Sequence, residues 1–175
     1  ITLKNLRKLI PDVLTLVRIM PNTPVRVQEA VIGYCSEGHP TKTKGLIEDL
    51  FSNLGLVVGV EEGEPFESLT VSCSSGVGFV LELMSYWQEW LEEHGFESTV
   101  AREMTVKTFL GASKLADQSQ GQSLEDLIHK VASKKGVTAA GLDSMRELEI
   151  ERALRYSFEK AVLRDREIGK GSQGS

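Results

Sequence analysis

The chain has 175 residues, 41% hydrophobic and 26% charged, with a formal net charge of -5. That is apolar material for one domain or one and part of a second, and the mild acidity argues against nucleic acid as a partner, because a phosphate-binding surface carries a basic excess. No apolar run approaches the roughly 20 residues of a membrane helix, so no membrane partner is expected. Cys35 and Cys73 stand in a chain with nothing else of a secreted scaffold and suit reduced thiols in a cytoplasmic protein. His39, His94 and His129 are scattered without ligand spacing, and no metal is expected. The start, Ile1-Thr2-Leu3-Lys4, has no Met and is no signal peptide; it reads as a fragment or as the first ordered residue.

Taken in order, Leu3, Leu6, Leu9 and Ile10 share one helical face. Leu14 to Met20 is an apolar, β-branched run that stops at Pro21 and predicts a buried strand; Ala30 to Cys35 predicts a second. Leu46, Ile47, Leu50, Phe51 and Leu54 form a helix stripe, Gly55 reads as its C-cap, and Leu56 to Val60 predicts a third strand. Strands on either side of a helix fit the edge of an α/β sheet, but three strands and two helices are too few for a complete doubly wound domain. After Glu61-Glu62-Gly63-Glu64-Pro65 the pattern turns helical. Stripes run through Phe79, Val80, Leu83, Met84, Trp87, Trp90 and Leu91, ending at Gly95, and through Val100, Ala101, Met104, Phe109, Ala112, Leu115 and Ala116. Ser123 can cap a short helix holding Leu124, Leu127, Ile128 and Val131. Leu142, Met145 and Leu148 mark a further helix; Ile150, Leu154, Phe158, Ala161 and Val162 mark the last, whose polar face alternates Glu and Arg. Several of these helices are apolar over more than a small bundle needs, which predicts burial against each other or against a second copy. The stretch 169–175 is Gly/Ser-rich and reads as a flexible tail.

Three places could carry chemistry. Gly76-Val77-Gly78, after Thr70-Val71-Ser72, looks like the opening of a dinucleotide fingerprint, but its sixth position is Leu81 and no ribose-reading acid follows, so close packing or a cap is the better reading. Met20-Pro21-Asn22-Thr23-Pro24 lies past the carboxyl end of a strand, where open α/β sheets place ligand loops; it is either such a loop or a plain turn. Ser133-Lys134-Lys135-Gly136-Val137-Thr138 precedes a helix, where free N–H groups, hydroxyls and two lysines make a carboxylate or phosphate cradle, or only an N-cap with exposed lysines.

In this order the segments resemble the pyrroline-5-carboxylate reductase family, from about residue 1 to 168. Arg18-Ile19-Met20-Pro21-Asn22-Thr23-Pro24 matches its strand-end loop, with Glu29 where the family has a Glu. Ser74-Ser75-Gly76-Val77-Gly78-Phe79 is similar to its Gly-Ser-Gly-Pro-Ala-aromatic helix start, and Leu110-Gly111-Ala112-Ser113-Lys114 to its Leu-Gly-Ala-Ala-Lys. Ser133 to Thr138 resembles its Ser-Pro-Gly-Gly-(Ala/Thr)-Thr, and Arg164-Asp165-Arg166-Glu167 its Arg-x-Arg-Glu end.

The resemblance implies the last part of a Rossmann-type nucleotide-binding domain (1–63), then an all-α dimerisation and substrate domain (64–168) like the C-terminal fold of 6-phosphogluconate dehydrogenase. It implies hydride transfer from NADP or NAD to the imine carbon of 1-pyrroline-5-carboxylate, giving proline, in a homodimer with interleaved helices that can assemble further. Thr138 is then the catalytic contact to the ring nitrogen. Ser133, Gly136, Val137 and Thr138 hold the substrate, and Met20, Pro21, Asn22 and Thr23 line the cofactor's nicotinamide side. The chain holds no GxGxxG after a strand, and the family's Pro-Gly pair is Lys134-Lys135, which removes the residue that most easily takes the backbone shape that wraps a carboxylate. A degenerate relative, kept as an oligomerisation or regulatory module, is the alternative.

Overall fold

The computed structural model describes residues 1–171, which fall into two compact units: Ile1–Phe79 with the chain from Tyr156 on, and Val80–Arg155. In the first, helix α1 (Leu3–Leu9) starts behind Thr2, whose hydroxyl accepts the Asn5 N–H at 3.2 Å. Strands β1 (Leu16–Met20), β2 (Ala30–Glu37) and β3 (Gly55–Gly59) form one sheet in that order. Helix α2 (Pro40–Phe51) makes the crossover between β2 and β3, which are parallel as a strand–helix–strand unit requires. β1 pairs antiparallel with β2, Met20 opposite Gly33, because a single 3₁₀ turn (Thr23–Val27) joins them in place of a helix.

Gly55 is a C-cap as expected, though of the 3₁₀ turn Ser52–Leu54 that continues α2 and not of α2 itself. It opens β3 at φ 144°, so close to the Ala30 backbone that a Cβ would collide with it. Glycine is therefore required by the approach of two strands.

Leu3, Leu16, Cys35 and Phe66 form one core cluster of this unit, with Leu6, Met20 and Val60 packed against it, and Ala30, Ile32, Ile47, Leu69 and Val71 are buried as well. Phe66 is 1% exposed and lies under the Arg18 guanidinium, 3.9 Å from ring centroid to Cζ. Arg18 pairs with Glu62 at 3.6 Å, and the same Glu62 oxygen accepts the Leu3 N–H at 2.7 Å. A charge on the sheet is thus held between an aromatic face and a carboxylate.

From Glu64 to Glu93 the chain is one helical run: α3 (Glu64–Leu69), a π turn (Thr70–Ser75) and α4 (Gly76–Glu93). Gly76 has φ -54° and ψ -31°, ordinary right-handed helix. The Gly76-Val77-Gly78 pair therefore lies inside a helix and does not open one; Thr70-Val71-Ser72, expected to precede the helix, is helical too. The run is 30 residues, and an 18-residue stretch of it has a mean hydropathy of 1.2, so it is long and apolar enough to cross a membrane by length and composition. This corrects the expectation that no apolar run approaches membrane-spanning length: the uncharged serines and glycines between Val71 and Phe79 do not interrupt the apolar stretch.

The second unit holds most of α4, α5 (Ser98–Gln118), α6 (Leu124–Val131), α7 (Val137–Glu147) and the first turns of α8 (Ile150–Gly171). α4 closes at Gly95, φ 93°, with the Phe96 N–H returned to Leu91 O at 3.2 Å, a Schellman-type end. Ser123 caps α6 as expected, through a reciprocal capping box with Asp126. Leu148 is the C-cap of α7, one residue beyond the helix in which it was expected.

Trp87 packs edge-on against Phe109 at 5.5 Å, and Leu91, Ala101 and Thr105 are buried. Trp90, Val100, Leu110, Leu115, Val131 and Met145 stay exposed, so the broad stripes are not satisfied within one chain. Later in α8, which returns to the first unit, Phe158 stacks on Phe79 at 5.6 Å and Arg166 pairs with Glu67 at 2.7 Å. Residues 169–171, expected in a flexible tail, continue α8, since each further helical residue adds a hydrogen bond once the helix is nucleated. The rest of that expected tail, 172–175, lies outside the described residues.

Phe66→Ala is expected to cost roughly 3–5 kcal/mol of stability. Urea unfolding checks it: a midpoint close to wild type would show that the Arg18–Phe66 stack is not a keystone of the sheet.

Candidate functional site

Met20 ends β1, and the following loop sits beyond that strand's carboxyl end. Pro21 and Thr23 are exposed, whereas Asn22 between them is 7% exposed. The Asn22 amide does not point outward from the loop. Its Oδ1 accepts the Val31 N–H at 3.0 Å and its Nδ2 donates to the Cys73 carbonyl at 3.0 Å. The second partner is 51 residues away in sequence, so no local pattern could have announced it. Gln28 turns the chain into β2 at φ 61°, and Glu29 beside it is exposed.

Behind this loop, Arg18 faces Cys35 in the strand register. The Cys35 thiol is 3% exposed and pushed up from 9.0 to about 11, first by burial and then by the nearby Glu62 carboxylate; Arg18 offsets part of this. It is a packing group, not a nucleophile, because the thiolate is the reactive form. Cys73, half-buried in the π turn, is also a free thiol.

The second group of residues precedes α7. The Gly136 N–H donates to Ser133 O at 2.9 Å, closing a tight turn, and Gly136 is the N-cap of α7. That N–H is spent, so the donors left at the helix start are the first N–H groups of α7, from Val137 onward, together with the Ser133 hydroxyl. No side chain caps them and no acidic residue lies in the first turn. A Cβ on Gly136 would run into the Ser133 side chain. Lys135, where the resemblance expects glycine, takes φ 60° itself. The left-handed shape is therefore kept without glycine, at a cost of roughly 1–2 kcal/mol for a residue with a Cβ. Ser133, Lys134, Lys135 and Thr138 are exposed and Val137 is 93% exposed, so the loop lies open in the single chain. The two groups of residues belong to different compact units.

A Rossmann-type sheet edge followed by a helical dimerisation domain is the class of fold these elements define. Residues 64–168 match the family described as pyrroline-5-carboxylate reductase dimerisation. The chain belongs to the pyrroline-5-carboxylate reductase family. It is 26% identical to the pyrroline-5-carboxylate reductase of Haemophilus influenzae over 169 residues, covering 96% of this chain and 62% of the relative. To that of Staphylococcus haemolyticus it is 30% identical, over 87% of this chain and 56% of the relative. The chain thus spans about 60% of the length of such curated relatives. Among solved structures it is similar to a pyrroline-5-carboxylate reductase from Coxiella burnetii, with TM-score 0.89 and 27% identity over 95% of this chain and 62% of the other. A Plasmodium falciparum pyrroline carboxylate reductase with NADP bound shares the fold at TM-score 0.85 and 20% identity, covering 97% and 68%.

Lys135→Gly is expected to stabilise the chain by about 0.5–1 kcal/mol, relief of the left-handed strain exceeding the added entropy of the unfolded glycine. A lower melting temperature would contradict this. The raised Cys35 thiol stabilises the fold fully below about pH 9, and that contribution is lost as pH rises toward about 11. In thiol labelling of the native protein near neutral pH, Cys73 is expected to react and Cys35 to wait for unfolding.

Proposed function

We propose that the protein containing this chain reduces 1-pyrroline-5-carboxylate to proline with NADPH or NADH, the last step of proline biosynthesis, in the cytoplasm and as a homodimer formed through its helical domain. We place the division of the chain at residue 63, with residues 1–63 closing the nucleotide-binding domain and 64–168 forming the dimerisation and substrate domain. Family membership supports the reaction class. The single observation that carries the site reading is Lys135: the turn ahead of α7 keeps its left-handed geometry although its glycine is gone. This supports a working cradle over a non-catalytic module.

In this reading the exposed start of α7 takes the substrate carboxylate. Ser133 offers its hydroxyl, and Val137 with the next residues offers unpaired N–H groups and the positive end of the helix dipole. Gly136 shapes the turn, its own N–H being held by Ser133. Thr138, exposed on the first turn, places its hydroxyl as hydrogen-bond partner of the ring nitrogen, which keeps the imine carbon electrophilic. Fixing the carboxylate and nitrogen together orients that carbon, which is where most of the rate gain from positioning arises.

The residues of the β1 loop suit a nicotinamide-side rim on the first unit: Pro21 and Thr23 face outward past the strand end, and Met20 packs behind them. When bound there, the nicotinamide supplies the hydride. Asn22 is turned inward, its Oδ1 on the Val31 N–H and its Nδ2 on the Cys73 carbonyl, and so supports the rim from behind. The apolar stripes left open on α4, α5 and α6 support a second copy as their cover.

In the full-length protein, Thr138→Ala combined with Ser133→Ala is expected to lower kcat/KM for the imine by at least about 100-fold. Cofactor oxidation measures it, and undiminished activity removes both residues from the site. The 175-residue chain by itself is expected to bind NADP(H) poorly. Protection by millimolar cofactor in a thermal-shift assay contradicts that.

A further inference from the structure

The strand-end loop holds its own shape by the backbone bonds of its 3₁₀ turn. Pro21 and Pro24 bring no N–H groups. The Val25 N–H reaches Asn22 O at 3.2 Å, the Gln28 N–H reaches Val25 O at 3.3 Å, and the Glu29 N–H reaches back to Pro24 O at 3.2 Å. The side chain that ties this turn to its surroundings is the buried Asn22 carboxamide, with one end on Val31, the second residue of β2, and the other on the carbonyl of Cys73. Cys73 stands in the π turn, a conformation rare in proteins and concentrated at functional sites. The same turn carries the Thr70 hydroxyl bonded to Phe66 O at 2.8 Å and Ser72 Oγ 3.5 Å from Cys73 Sγ. Only an amide of this length both accepts from one backbone group and donates to the other: Asp cannot donate when ionised, and Ser or Thr offers one atom where two are used.

We propose that Asn22 is a positioning residue. It ties the strand-end loop to the π turn at Cys73, so that the placement of Pro21 and Thr23 depends on the helical segment as well as on the sheet. This rests on the reading of that loop as the nicotinamide-side wall, and it gives Asn22 a role other than touching the cofactor. Without the tie, the loop retains its prolines but loses its anchor, and the distance over which a hydride is delivered is no longer fixed.

The test uses the full-length protein with Asn22→Ala and Asn22→Asp, the second keeping the acceptor for Val31 and losing the donor to Cys73. Two quantities are read: kcat and KM for imine reduction per folded enzyme, and the rate of Cys73 modification by a thiol reagent, followed by peptide mass spectrometry with buried Cys35 as internal control. The expected result is a fall in kcat of about 10-fold or more, with imine KM within about twofold. Cys73 labelling accelerates roughly fivefold while Cys35 is unchanged, as for local opening. A purely structural Asn22 lowers the melting temperature and leaves kcat alone. Wild-type kcat with wild-type Cys73 labelling overturns the proposal, and so does equal acceleration at Cys35, which signals general loosening. If Asn22→Ala does not fold, Asn22→Asp carries both readings. If the wild-type protein reduces no imine, the functional reading fails separately and the labelling alone decides the tie: faster Cys73 modification in Asn22→Asp supports it, and an unchanged rate refutes it.

Discussion

The constraint on which the helical half of this molecule depends is the need to cover apolar surface. Helical packing gains its free energy from area removed from water, at roughly 25 cal/mol per Å². In the unit Val80–Arg155 the well-buried side chains among the described residues are Leu91, Ala101 and Thr105. Against them stand Leu81, Trp87, Trp90, Val131 and Leu148, all half exposed or more. Single apolar residues on a surface need no explanation; broad stripes along several consecutive helices do. Membership in a family defined by a dimerisation domain gives that excess its natural reading. The same surplus makes the run Glu64–Glu93 long and apolar enough to cross a membrane by length and composition.

The sheet half works on a different principle. Its core is small, and polar contacts fix what the core cannot. Arg18 is clasped between Phe66 and Glu62, Glu62 also holds the first N–H of α1, and Asn22 bridges two backbone groups from separate elements. A buried carboxamide with both ends satisfied is specific in a way that apolar packing is not, since its loss strands two partners at once.

Much of this was legible in the sequence because the signals were local. Continuous apolar, β-branched runs marked β1 to β3, and stripes of period 3.6 marked α2, α4 and α5. Ser123 before an apolar run announced its cap. What could not be read was non-local. The antiparallel setting of β1 follows from a short turn, which strand patterns alone do not reveal. Gly55 was legible as a helix end, but not as a strand opening, because the strand it must also approach is 25 residues earlier in the chain, at Ala30. The π turn hid behind small polar residues that resemble a helix opening. At the proposed site, the residues of both loops were visible, but not that Asn22 turns inward or that Lys135 adopts the conformation of the glycine it replaces.

The π turn also sets the rotational phase of the helix residues that follow it within the first unit. Six residues in π geometry, Thr70–Ser75, turn through a smaller angle per residue than an α-helix does, so Gly76 to Phe79 lag an uninterrupted helix by roughly 100°. The Phe79 ring is aimed at Phe158 by that lag. A chain of identical composition, rewound as plain α-helix through this stretch, would turn that ring away from its partner.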